Sequence, residues 1–229
     1  MKREDGRKPD EMRTLVIKAG VIKEANGSAL VKFGKTTAIA AVYGPRETHP
    51  RHLTRPDKAL LRCYYNMAPF STKDRVRPGR SRRSTEIAKV TREALEPAVF
   101  LEEFPKASIE VFIEILQADA GTRTAGINAA SVALADAGIP MRDLVTSIAA
   151  GRIDKTPTLD LAGKEEEETE CDLPIAYMPR EKKITLMQMD GDISQKDVKE
   201  VINTAVKACE EIYKKQREAL KKRWVGDGK

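Results

Sequence analysis

Histidine is nearly absent. Only His49 and His52 occur in 229 residues. Both sit in one short loop, so a serine–histidine or cysteine–histidine nucleophile has no base to use elsewhere in the chain. Cysteine is scarce too: Cys63, Cys171 and Cys209 form an odd set without CxxC spacing. That argues against a disulfide framework and a structural zinc site, and points to a reducing cytoplasm with buried or incidental thiols. No stretch approaches the ~18 apolar residues of a membrane span. The start, Met1-Lys2-Arg3-Glu4-Asp5, lacks the apolar run of a signal peptide. A cytoplasmic protein without membrane contact is expected. Aromatics are only 5% of residues, which weakens any plain single-strand stacking platform. Neither the GxxxxGK[ST] phosphate loop nor the GxGxxG dinucleotide fingerprint occurs.

What is present is a charged, globular composition, with 41% hydrophobic residues, 33% charged residues and a net charge of +6. The length suits one domain or two fused half-domains. The positive excess is a weak pointer to a polyanionic partner.

Residues 1–13 are polar and read as an arm that orders on assembly, or as a loose end. Strands are expected at 14–18, 28–33 and 36–43, with Asn26-Gly27 and Gly34-Lys35 as hairpin punctuation, and a fourth at 60–67. Residues 44–58 and 70–82 carry proline and basic residues without periodicity and read as loops. A helix is expected over 84–98, a strand over 109–117 and a small-residue helix over 124–137. Strands return near 145–151, 173–178 and 184–190. Ser194-Gln195-Lys196-Asp197 spells a capping box that opens a long helix with a basic tail at 214–224. The order gives one α+β unit, 14–222, with two similar halves at about 14–105 and 106–222.

Residues 73–83 hold six basic side chains and one acidic one. Such a run is most often a solvated loop. Here Arg82-Arg83 immediately precedes a helix, so guanidinium groups and free helix N–H groups can face one anion. Arginine predominates, and it grips phosphate oxygens as a fork. A second basic stretch, 46–55, carries both histidines. Pro50 breaks helical spacing and no third ligand is evident, so contact with phosphodiesters is favoured over a metal.

Asp119-Ala120-Gly121-Thr122-Arg123-Thr124 joins a strand to a helix. It reads either as an ordinary turn capped by Thr122 or Thr124 or as an anion site made by exposed N–H groups and Arg123. Glutamates 165–168 read as solvated surface. Asp172 differs because it abuts an apolar strand, where a carboxylate can donate a proton or hold a divalent ion. Tyr64 and Tyr65 fit either the core or a base-stacking role.

Gln117-Ala118-Asp119-Ala120-Gly121-Thr122-Arg123-Thr124 resembles the phosphate-site motif of the RNase PH family. Arg83-Ser84-Thr85-Glu86-Ile87 resembles the family's Arg-x-x-Glu-Ile helix start, whose arginine contacts phosphate. Asp172 ahead of its apolar strand resembles the downstream aspartate of the catalytic pair. The upstream aspartate, six residues earlier, is replaced here by Glu166. Several stretches resemble the catalytic ring subunit of archaeal exosomes in particular, among them Asp5-Gly6-Arg7-Lys8-Pro9-Asp10, His49-Pro50-Arg51-His52-Leu53 and Asn66-Met67-Ala68-Pro69-Phe70-Ser71. The resemblance covers about residues 5–222.

It implies an RNase PH-like α+β fold, similar to ribosomal protein S5 domain 2, with duplicated sheet-plus-helix halves in one compact domain. It also implies a phosphorolytic 3′-to-5′ exoribonuclease in a ring of three catalytic and three non-catalytic partner subunits. RNA-binding cap subunits would sit over the pore, and the 46–55 loop would line the RNA path. Inorganic phosphate would be the co-substrate, held by Arg83, Gly121, Thr122, Arg123 and Thr124. Arg82, Arg51 and Arg46 would contact the single-stranded RNA 3′ end. Asp172 and Glu166 would be catalytic and would be the ligands of any Mg2+. Rival readings are a homohexameric RNase PH trimming tRNA ends and a non-catalytic RNA-binding ring subunit.

Overall fold

The computed structural model describes residue 3, residues 5–163 and residues 165–226; of Glu167 only the backbone is described. Strands β1 (Leu15–Ala19), β2 (Gly27–Phe33) and β3 (Thr36–Glu47) form an antiparallel meander. The next strand in the chain, β4 (Leu60–Met67), lies at the sheet edge, parallel to β5 (Ala107–Gln117). The five stand in the order β1-β2-β3-β5-β4. Alternation explains the burial: Ile109, Val111, Ile113 and Ile115 all point into the core. Between β4 and β5 runs helix α1 (Arg82–Leu95), which continues into a short 3-10 turn at Glu96–Ala98.

The second sheet holds β6 (Thr146–Ile153), β7 (Thr156–Leu159), β8 (Cys171–Met178), β9 (Lys183–Met187) and β10 (Asp190–Gly191). β8 pairs with β6 on one side, while β9 and β10 pair with successive stretches of β8. Strand β7 was not expected. It follows β6 through a two-residue turn, Asp154-Lys155, with both residues left-handed at φ 48 and 60. A tight hairpin demands that conformation, and glycine usually announces it; here none does.

Helix α2 (Thr122–Asp136) packs against strands of both sheets and is buried almost all round. Its alanines, serine and glycine let backbones approach closely. At Gly27 an added Cβ would lie 2.1 Å from the Ala137 nitrogen and 2.4 Å from the Ala133 carbonyl oxygen. Asn128, fully buried, donates to the Thr124 and Ser147 carbonyls and accepts from Ser147 N–H and Gln216. One amide therefore joins α2, β6 and the long C-terminal helix, with all of its capacity used. Two further helices matter below: α3 (Glu165–Glu168), a single turn, and the long α4 (Gln195–Val225). α4 buries Val201, Ala205, Ala208, Cys209, Ile212 and Gln216, and its basic tail stays helical to the end. Among the described residues no helix is long and apolar enough to cross a membrane.

Four local expectations need correction. Arg82 and Arg83 lie inside the first turn of α1, because Ser81 is its cap and forms a reciprocal box with Ser84. Neither Thr122 nor Thr124 caps α2: the cap is Gly121 at φ 65, and the Thr124 hydroxyl donates to the Gly121 carbonyl at 2.9 Å. The acidic run is not uniformly solvated either. Glu165 is buried, gripped by Arg3. Among the described residues of 1–13, read as an arm or loose end, Arg3 and Arg13 are buried, whereas Asp5, Gly6, Lys8, Asp10 and Glu11 are exposed.

Candidate active site

Turn 118–121 leaves β5 and enters α2 through two left-handed residues, Ala120 at φ 58 and Gly121 at φ 65. Left-handed backbone is unusual for alanine, and such strain concentrates at functional turns. The turn sets the start of α2, whose first N–H groups carry partial positive charge, at a cavity of about 340 Å3. Thr122, Arg123 and Thr124 line it from α2, and Arg83 reaches it from the first turn of α1. Glu166, from α3, and Asp172, from β8, line the same cavity. Five expected phosphate ligands and two expected carboxylates, spread over ninety residues of sequence, thus meet in one cavity.

The electrostatics are divided. Arg123 Nη2 donates to Glu86 Oε2 at 3.1 Å, while its Nε is buried without a partner among the described residues. The Arg83 side chain makes no hydrogen bond or ion pair among the described residues, which leaves its guanidinium free for a ligand in the cavity it lines. Asp172, on β8, is the register partner of Asp190 on β10. Burial, together with the neighbouring Glu166 and Asp190 charges, pushes its carboxyl up to about 6, the Arg123 and Arg83 charges only partly opposing them. Excess negative charge on this wall is relieved by a proton or by a cation. Among the described residues no group of three or more metal-ligating side chains converges. Glu166 and Asp172 do fit Mg2+, which is commonly held by one or two carboxylates together with water and substrate phosphate.

Residues 11–140 match the 3′ exoribonuclease family, domain 1, and residues 143–208 match domain 2 of the same family. The chain belongs to this RNase PH family. It is 57% identical over 223 residues to the exosome complex component Rrp41 of Methanopyrus kandleri, covering 97% of this chain and 93% of that one. It is 57% identical over 224 residues to Rrp41 of Pyrococcus furiosus, covering 98% and 90%. Among solved structures, rice Rrp46 superposes with a TM-score of 0.87 at 24% identity, covering 96% of this chain and all of that one, a likeness of fold. A chain of the Archaeoglobus fulgidus exosome with RNA bound to the active site gives 0.81 at 26% identity, covering 93% and 92%.

Within this RNase PH chain, the expected RNA contacts lie outside the cavity. Arg82 is exposed on α1. Arg46 extends past the end of the buried part of β3, its guanidinium 4.8 Å from the Tyr43 ring centroid. Arg51 is exposed and 3.2 Å from Glu47. Tyr65 is core at 6% exposure, and Tyr64 stacks on Phe112 with centroids 4.8 Å apart. Sequence reasoning gave no role to three residues beside the site: Glu86, which it quoted only as part of a motif, Gln188 and Asp190. Glu86 had a signal, being one helical turn after Arg83 on the same face. Asp190 and Gln188 had none, because pairing across β8 brings them in.

Proposed function

We propose that the chain is the catalytic ring subunit of an archaeal exosome-type enzyme, degrading RNA from the 3′ end by phosphorolysis. The observation that carries this reading is the convergence of Arg83, residues 121–124 and Asp172 in one cavity. Membership of the 3′ exoribonuclease family and the near full-length likeness to Rrp41 proteins support the substrate and the assembly.

Inorganic phosphate is its own nucleophile, which suits a site with no histidine. Arg83, Arg123 and the N–H groups at the start of α2 hold it and offset its charge against the RNA phosphate. A phosphate oxygen attacks the phosphorus of the terminal internucleotide linkage, and the bond from phosphorus to the 3′-oxygen breaks. A proton from Asp172 reaches that oxygen, leaving a shortened RNA and a nucleoside 5′-diphosphate. Glu166 keeps the proton affinity of Asp172 high. Asp172, when unprotonated, and Glu166 would be the residues to hold any Mg2+, which would supply charge neutralisation at the reacting phosphates. Arg82, Arg51 and Arg46 hold the incoming strand outside the cavity through its backbone. The subunit works in a trimer of heterodimers with a homologous non-catalytic partner, beneath RNA-binding cap subunits, in the reducing cytoplasm.

A phosphoester is exchanged for a phosphoanhydride, so the reaction runs both ways. Excess nucleoside diphosphate should lengthen an RNA 3′ end and release phosphate from the purified ring. RNA that stays at its starting length in excess diphosphate would count against the exchange.

A further inference from the structure

The loops facing each other across the cavity belong to different sheets. The turn before α2 ends the first sheet, and the 160–170 connection leads into β8 of the second. Arg13, 8% exposed in the extended stretch before β1, joins them. Its Nε and Nη2 donate to the two carboxylate oxygens of Asp160 at 2.8 and 2.6 Å, and its backbone N–H donates to Asp160 Oδ2 at 2.8 Å. Its Nη1 donates to the Asp119 carbonyl, two residues before Gly121. A Cβ on Gly121 would sit 3.2 Å from Arg13 Nη2, so turn and guanidinium are in close register. The Thr36 hydroxyl braces the same turn, donating to the Ala120 carbonyl at 2.7 Å and accepting from Asp119 N–H at 3.0 Å.

On the acidic side, Arg3 is 3% exposed. It forks onto Glu165 at 2.8 and 2.7 Å and donates to the Asp160 carbonyl at 3.0 Å. Glu165 precedes the cavity-lining Glu166 and also accepts the Ala162 N–H at 2.9 Å. Buried arginine–carboxylate pairs seldom add net stability over apolar packing, because both charges lose water. What a bidentate fork does supply is fixed distance and angle.

We propose that the Arg13–Asp160 pair, extended by Arg3–Glu165, is a positioning clamp that sets the phosphate turn at working distance from Glu166 and Asp172. The clamp rests on the phosphorolytic reading of the cavity. Neither pair touches the reacting atoms; each acts through the loop it holds.

The test compares wild type, Arg13→Lys and Asp160→Asn, each reconstituted with the partner ring subunit. It measures kcat, KM for phosphate, RNA affinity and thermal unfolding. Lysine keeps the charge and loses the fork. The clamp predicts kcat lower by about 10- to 100-fold at saturating substrates, as small misplacements of reacting groups do. That loss should appear well below the unfolding transition, with RNA affinity nearly unchanged. Variants that unfold earlier yet keep wild-type kcat at that temperature would make the pairs structural ties and overturn the proposal. If either variant fails to fold, Arg3→Lys is measured in the same way, and unchanged kcat there overturns it equally. A wild-type ring without phosphate-dependent release would overturn the underlying reading; an active wild type beside an unimpaired Arg13→Lys would overturn the clamp alone.

Discussion

Arg123 donates to Glu86 Oε2 at 3.1 Å, and the other oxygen of the same carboxylate accepts from Gln188 at 3.0 Å. The arginine beside the turn that ends in Gly121 is thus aimed by a carboxylate from α1, which Gln188 steadies in turn. Glu86→Gln keeps the shape and removes the charge. It should raise the KM for phosphate about 10-fold, the scale of one charge-assisted hydrogen bond. Initial rates against phosphate concentration check this, and an unchanged KM would remove Glu86 from the site.

Arg83→Ala and Arg123→Ala should lower the phosphate-driven rate by about 10²- to 10³-fold, with RNA affinity falling far less. Parallel measurement of RNA binding and turnover separates the two. Equal losses in both would contradict the assigned roles.

Asp172→Asn cannot donate a proton. Turnover should drop by about 10²- to 10⁴-fold, while RNA still binds in a gel-shift or anisotropy titration. Normal turnover would take Asp172 out of the chemistry.

Within the acidic run, only Glu166 lines the cavity among the described side chains, Glu165 is held by Arg3 and Glu168 is exposed. Glu166→Gln should therefore slow turnover and Glu168→Gln should not. Equal effects would mean that the run acts only as diffuse charge.

Gly27→Ala places a methyl group against α2 backbone, where no side chain can swing aside. Loss of about 1–3 kcal/mol is expected, visible as a lower Tm by calorimetry. An unchanged Tm would show that the contact relaxes freely.

Most of the fold was legible because the core strands alternate or run apolar and the helices have stops. β4 was read at its observed bounds, and β2 and β5 within two residues. That Gly121, Arg123 and Arg83 belong to a common site was expected from the sequence, and the structure brings them to one cavity. What escaped depended on contacts distant in sequence. β7 hides behind a turn without glycine. Glu165 looks like any surface glutamate until Arg3, 162 residues away in sequence, buries it. Asp190 meets Asp172 only through strand pairing. The cap of α2 was misassigned because threonine is the commoner signal, whereas here the backbone of Gly121 makes the turn.

The central claim is phosphorolysis in this cavity. The most direct test digests a 3′-ended RNA with the chain and its ring partner, with and without inorganic phosphate, and identifies the released nucleotide. Nucleoside 5′-diphosphates that appear only with phosphate, and vanish in Asp172→Asn, are the predicted result. Nucleoside monophosphates released without any need for phosphate would contradict it.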